Sequence, residues 1–199
     1  MNVEFELKYR ATEAQLQALQ AAFPGQVQTI RMETAYYDTP DRALSRRKIT
    51  LRKRLENGVP VCTLKTPDCK DLGVAGARGE YECQRDDITA AIPELCKLSN
   101  MPELHDWTAG GLEYVCGARF VRIAKLLTFP EFAAELALDR GVLTGGGREL
   151  PLREAEVELK SGDPEALREF AQDLAEKYGL VPENSSKFRR ALELAKGEN

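Results

Sequence analysis

Val3-Glu4-Phe5-Glu6-Leu7-Lys8-Tyr9-Arg10 alternates apolar and charged side chains without a break. A period of two puts Val3, Phe5, Leu7 and Tyr9 on one face of a strand and Glu4, Glu6, Lys8 and Arg10 on the other. The period then changes. Thr12 is placed to cap a helix in which Leu16, Leu19 and Phe23 recur at three- and four-residue spacing, until Pro24-Gly25 stops it. Further strands are predicted over 28–37, 48–55, 59–65, 79–86, 114–127, 131–138 and 153–160. Turn chemistry at Asp38-Thr39-Pro40-Asp41, Asn57-Gly58 and Gly145-Gly146-Gly147 joins several of them. Short helices are expected after Ile88 and longer ones over 163–178 and 185–196. Many strands in hairpins, with a few helices between and after them, predict an α+β fold: an antiparallel sheet with helices packed on one face.

The other face of the strands is charged throughout. Glu4, Glu6 and Lys8 project together, as do Arg52 and Arg54, then Arg78, Glu80 and Glu82, and finally Glu154, Glu156, Glu158 and Lys160. A solvated sheet face carries the same alternation in any single strand. The charges here are grouped by sign, however, and the helices need the apolar face. Closing the sheet into a barrel of about eight strands would gather these groups in a polar interior. Such an interior requires paired charges or a ligand, because an unpaired buried ion costs several kcal/mol. Paired carboxylates suit magnesium or manganese, and lysine with arginine suits phosphate oxygens.

Composition narrows the chemistry. The chain has 199 residues, 43% of them hydrophobic and 30% charged, and a formal charge of −4, which fits one globular domain over residues 1–199. Its 28 basic residues are outnumbered by 32 acidic ones, which argues against a general nucleic-acid binder. No uncharged apolar run approaches the ~20 residues of a membrane helix, and charges occupy the first ten positions where a signal peptide would be apolar. The expectation is a cytoplasmic protein without a membrane partner. Cys62, Cys69, Cys83, Cys96 and Cys116 are scattered and form no C-x-x-C pair, so they read as reduced thiols. His105 is the single histidine, which excludes a multi-histidine metal site. The phosphate-binding loop G-x-x-x-x-G-K-[ST] is absent. Carboxylates, lysines and arginines must therefore supply the chemistry.

Glu4-Phe5-Glu6-Leu7-Lys8 resembles the E-x-E-x-K signature of the CYTH superfamily, the triphosphate tunnel metalloenzymes, which include class IV adenylyl cyclases and thiamine triphosphatases. Similar blocks follow in family order from residue 3 to about 190: Tyr36-Tyr37-Asp38-Thr39, Leu51-Arg52-Lys53-Arg54, Leu64-Lys65, Arg78-Gly79-Glu80-Tyr81-Glu82, Leu138-Asp139-Arg140-Gly141, Glu156-Val157-Glu158 and Ser186-Lys187. The resemblance implies an eight-stranded antiparallel β-barrel forming a tunnel, with helices outside. It also implies roles. Lys8, Arg52, Arg54, Lys65, Arg122 and Lys187 would hold a triphosphate. Glu156 and Glu158, with Asp139, would hold one Mg2+ or Mn2+, and Glu4 and Glu6 a second ion or its water, with Lys8 facing the reacting phosphorus. Glu80 and Glu82 would help bind metal or orient the arginines, and Arg78 on the same strand is a further candidate for the site. Glu154 and Lys160 either extend the acidic strand or lie at the tunnel rim.

Some assignments stay open or structural. Arg119 and Arg122 face opposite ways on one strand, and only one of them can enter the tunnel. Lys53 is out of phase with Arg52 and Arg54 and belongs outside. Tyr36, Tyr37 and Asp38 read as the end of a strand and the start of a turn, and Ser186 as a helix cap compatible with phosphate binding by Lys187. The implied activity is metal-dependent hydrolysis of inorganic tripolyphosphate to pyrophosphate and phosphate, on a small-molecule polyanion, by a monomer or homodimer. Adenylyl cyclase, thiamine triphosphatase and a non-catalytic polyphosphate- or nucleotide-binding module are the alternatives.

Overall fold

The computed structural model describes residues 2–68 and 78–197, with the side chains of 2–4, 68 and 78 left aside. The alternating N-terminal segment is extended and broken only at Phe5, giving β1 (Asn2–Glu4) and β2 (Glu6–Arg10). Helix α1 (Glu13–Ala22) then starts at Thr12, whose hydroxyl accepts from the Gln15 N–H at 3.3 Å while Gln15 Oε1 accepts from the Thr12 N–H at 2.7 Å. This reciprocal cap satisfies two N–H groups that would otherwise lack partners.

Next come β3 (Gln28–Asp38), the short α2 (Ala43–Arg46), β4 (Thr50–Glu56), β5 (Val59–Asp68) and β6 (Arg78–Cys83). Asp38 ends β3 as a cap, accepting from the N–H groups of Thr39 (2.8 Å), Leu44 (3.0 Å) and Ser45 (3.2 Å). Asp38 and Thr39 thus form a structural turn, as their chemistry predicts, while Tyr36 lies within β3 and lines the cavity described below. Helices α3 (Ile88–Ser99) and α4 (Glu103–Thr108) precede three long strands, β7 (Glu113–Thr128), β8 (Phe132–Gly145) and β9 (Arg148–Gly162). Helix α5 (Pro164–Tyr178), β10 (Val181–Pro182) and α6 (Lys187–Lys196) complete the chain.

Among the described residues ten strands lie in the order β1-β6-β5-β4-β3-β7-β8-β9-β2-β10, every pairing antiparallel. This order is not a hydrogen-bonded ring. Its two ends meet instead through the chain at Phe5: the start of the N-terminal segment pairs with β6, and its continuation pairs with β9. With β1 and β2 taken as one segment and the two-residue β10 set aside, the expected eight strands remain.

Two apolar clusters cover the convex face. Phe5, Tyr9, Leu136, Leu138 and Val157 pack with Leu16 and Leu19 of α1 and Leu167 and Leu174 of α5, while Leu51, Cys62 and Leu64 pack with Ile92 and Leu95 of α3. Each fully buried leucine contributes about 1.5–3 kcal/mol. A third cluster joins Ala191, Phe188 and Leu192 of α6 to Met32, Phe120, Leu143 and Leu152, all on the face that carries Arg122 and Glu156. Helix α6 thus closes one end of the concave side. This also explains why β8 and β9 extend well past the predicted 131–138 and 153–160. Under α6 the inner face turns apolar, so the alternation that marks a half-charged strand disappears. Lys48 has a positive φ of 59°, and β4 accordingly begins at Thr50 rather than at 48. No helix among the described residues is long and apolar enough to cross a membrane.

Candidate active site

The pleat carries the charges named from the sequence to one side of the sheet. Register then aligns them in rows: Glu6 lies opposite Glu158, which lies opposite Glu135; Lys8 lies opposite Glu156; Arg10 opposite Glu154, Glu154 opposite Asp139, and Asp139 opposite Arg122. Glu6, Lys8, Arg122, Glu135, Glu156 and Glu158 of these rows line a cavity of about 380 Å³, which Arg10, Asp139 and Glu154 do not reach. Among the described residues its basic lining includes Lys8, Arg52, Arg54, Lys65, Arg122, Lys160 and Lys187, and its acidic lining Glu6, Glu56, Glu80, Glu82, Glu135, Glu156 and Glu158. All six residues expected to hold phosphates are therefore gathered in one space. Met32, Tyr36, Phe120 and Phe188 form its apolar end beneath α6.

Two groups of charge face one another across this space. On β4–β6, Arg52 pairs with Glu80 at 3.0 Å and approaches Glu82 at 3.8 Å, Lys65 pairs with Glu80 at 3.3 Å, and Arg54 contacts Glu56 and lies 3.7 Å from Glu82. Burial, reinforced by the neighbouring Arg52, pushes the Arg54 guanidinium below its ordinary value. Two crowded arginines at the wall of a cavity create a site that an anion would stabilise.

On β7–β9 the acidic group dominates. Asp139, Glu154 and Glu156 are buried, and carboxylate oxygens of the three lie within 4.8 Å of one another. Arg122 clamps Asp139 with two hydrogen bonds of 2.8 Å and reaches Glu156. Lys187, at the first turn of α6, lies 2.9 Å from Asp139 and 2.6 Å from Glu154, and donates to Glu156. Burial alone would raise the Glu156 carboxyl, but Lys187 and Arg122 hold it far below the usual carboxylate range. Burial would likewise lower Lys187, yet Glu156, Asp139 and Glu154 hold its ammonium well above its ordinary value. Glu154 goes the other way, its carboxyl raised chiefly by burial. The network is thus made of charged groups that depend on one another.

The oxygen donors Asp139 and Glu156 fit a hard divalent cation, which would take the place now held by the Lys187 ammonium. Glu158 lies one pleat further along β9, beside the cavity, where it pairs with Lys160 at 2.9 Å. Glu154 thus joins Asp139 and Glu156 in the compact buried group, while Glu158 lines the cavity. Glu154 is also not at a rim, being fully buried, whereas the Lys160 side chain is 39% exposed at the edge. Arg122 is the arginine of its pair that enters, and Arg119 points outward to Glu149. Lys53 lies on the outer surface, bonded to Asp86. Lys8 lines the cavity with its Nζ 3.3 Å from Glu6 Oε1. The side chains of Glu4 and Arg78 lie outside the described residues, as does Cys69. The remaining four cysteines are free thiols.

Sequence reading missed Glu56, Glu135 and Arg190. Glu56 continues the phase of Arg52 and Arg54, and Glu135 that of Asp139, so both signals were present in the pleat. Arg190 follows Lys187 by three residues on α6, hence on the same helix face. Its guanidinium contacts Glu154 and lies 3.6 Å from Glu183.

The fold thus sets a concave cavity lined by charges of both signs on one face of an antiparallel sheet, with a helix packed over one end. Comparison with known proteins places the chain in a family of this architecture. The CYTH domain profile matches residues 2–192, and the chain belongs to that family. It is 29% identical over 163 residues to the inorganic triphosphatase of Haemophilus influenzae, a match that spans 82% of this chain and 46% of that protein, so the chain corresponds to about half of the relative's length. Among solved structures it resembles the putative adenylyl cyclase HpAC1 from Hippeastrum, described as having a dominant triphosphatase activity, with a TM-score of 0.68, 20% identity and coverage of 100% and 97% of the two chains. The PH1819 protein of Pyrococcus horikoshii is similar with a TM-score of 0.63, 23% identity and coverage of 97% and 99%.

Proposed function

We propose that this protein hydrolyses inorganic tripolyphosphate to pyrophosphate and phosphate with the help of Mg2+ or Mn2+. The observation that carries this reading is the convergence of Lys8, Arg52, Arg54, Lys65, Arg122 and Lys187 on one cavity that Glu6, Glu80, Glu82, Glu135, Glu156 and Glu158 also line. A polyanion arriving with divalent cations would suit such a mixed lining, its phosphates meeting the cationic side chains and the metal the carboxylates. The Haemophilus influenzae relative supports the choice of an inorganic triphosphate.

Asp139 and Glu156, with Glu158 next along the strand, would hold one ion, and Glu6 with Glu4 a second. An ion held there would supply Lewis-acid charge neutralisation to the phosphate oxygens. The chain's own groups do the rest. Arg52, Arg54 and Lys65 grip the phosphate chain from one wall and Arg122 and Lys187 from the other, so the terminal phosphorus is held next to Lys8. Phosphoryl transfer asks little more of a protein than such positioning and charge neutralisation. Glu6 accepts a hydrogen bond from the attacking water and takes its proton, while Lys8, 3.3 Å from that carboxylate, neutralises charge developing on the terminal phosphoryl oxygens.

The test is phosphate release from tripolyphosphate, ATP and thiamine triphosphate with Mg2+ or Mn2+, with cyclic AMP measured in the ATP sample. Release from tripolyphosphate with little from ATP is expected. Cyclic AMP with pyrophosphate would replace this reading with a cyclase, preference for thiamine triphosphate with a thiamine triphosphatase, and tight binding without turnover with a binding module.

A further inference from the structure

Glu154 and Asp139 are fully buried carboxylates of the site, and cations hold Glu154 from two sides. Lys187 Nζ lies 2.6 Å from its Oε2, and the Arg190 guanidinium contacts its Oε1. Lys187 is simultaneously shared with Asp139 and Glu156. For Lys187 to serve a phosphate, its ammonium must turn from these carboxylates into the cavity. A metal ion can compensate Asp139 and Glu156 when that happens. Glu154, unlike Glu156, does not line the cavity, and a buried carboxylate left without a cation is strongly destabilised.

Arg190 provides that compensation. It sits one helical turn after Lys187, its side chain only 14% exposed, and its other terminal nitrogen lies 3.6 Å from Glu183. The Glu183 N–H in turn donates to the Lys8 carbonyl at 2.8 Å, so the same chain of contacts reaches the strand that carries Lys8. We propose that Arg190 is a positioning residue: it holds Glu154 permanently, which keeps that carboxylate out of the metal shell and releases Lys187 to bind the terminal or middle phosphate of a triphosphate. This rests on the triphosphatase reading.

Arg190→Met removes the charge and keeps the length. Lys187 then remains captured by Glu154, and KM for magnesium tripolyphosphate rises about tenfold while kcat changes by less than about threefold. Removing the competing carboxylate as well, in Glu154→Gln/Arg190→Met, returns KM to within about threefold of the wild type. Arg190→Lys lies between the two. A residue with only a structural role would lower the thermal midpoint without this recovery of KM. An unchanged KM in Arg190→Met, or a double variant whose KM stays raised, overturns the proposal. If Arg190→Met does not fold, as judged by circular dichroism, the double variant decides by the same KM criterion. Wild-type protein that neither turns over nor, by calorimetry, binds magnesium tripolyphosphate defeats the functional reading and this proposal with it. Wild-type turnover with an unaffected Arg190→Met defeats this proposal alone.

Discussion

Lys8 is the residue on which the proposed chemistry turns. It lies opposite Glu156 in the β2–β9 register, lines the cavity and pairs with Glu6. Lys8→Ala removes one of several cations around the phosphates but the only one in contact with Glu6 among the described residues. Binding should therefore weaken modestly, while kcat falls by about 10²–10³, the usual loss when a charge-stabilising donor is removed. Steady-state kinetics beside calorimetric binding checks this, and unchanged turnover would remove Lys8 from the mechanism. Residues of this kind were legible because a strand allows only two directions. Arg52 and Arg54 had to share a face with each other and not with Lys53, and they do. Arg119 against Arg122 was undecidable for the same reason: both phases of β7 carry an arginine, and only the pairing of Arg122 with Asp139 distinguishes them. Glu154 was ambiguous because its surroundings depend on α6, which comes from a distant part of the chain.

At the scale of elements, α6 governs the site. Ser186 caps it by accepting from the Arg189 N–H at 3.1 Å, and Gly197 ends it in the left-handed region at φ 84°. Its first turn presents Lys187 to the acidic cluster. Its seat is the β8–β9 turn, where Gly145 packs directly on the helix backbone. A methyl group at 145 would run into the Ala191 carbonyl and lie 2.8 Å from the Ala195 nitrogen. Gly145→Ala should therefore push α6 outward, at a cost of about 1–3 kcal/mol, lowering the thermal midpoint by roughly 5 °C. It should also raise KM for the triphosphate, because Lys187 moves with the helix. Thermal unfolding and kinetics on one sample test both, and a variant with neither change would show that the helix is not seated this way. The helix itself was readable from its periodicity. Its place across the concave side was not, since an amphipathic stripe does not say which sheet face it covers.

For the whole molecule, the sheet separates two jobs. Its convex face, under α1, α3 and α5, supplies apolar burial, and its concave face carries a set of charges that burial alone would not tolerate. The alternation beginning at Val3 carries this division, and it was legible from the first ten residues. What it does not contain is how the ends of the sheet meet, because the switch of the N-terminal segment from β6 to β9 at Phe5 depends on long-range register. The central claim is that the concave charges exist to hold and cleave a triphosphate with its metal. Phosphorus NMR of tripolyphosphate incubated with the protein and Mg2+ tests it most directly. The account predicts that the tripolyphosphate resonances give way to pyrophosphate and phosphate in equal amounts, and that chelating the metal stops the conversion. Resonances that remain unchanged with metal present, or that disappear equally fast after chelation, would contradict it.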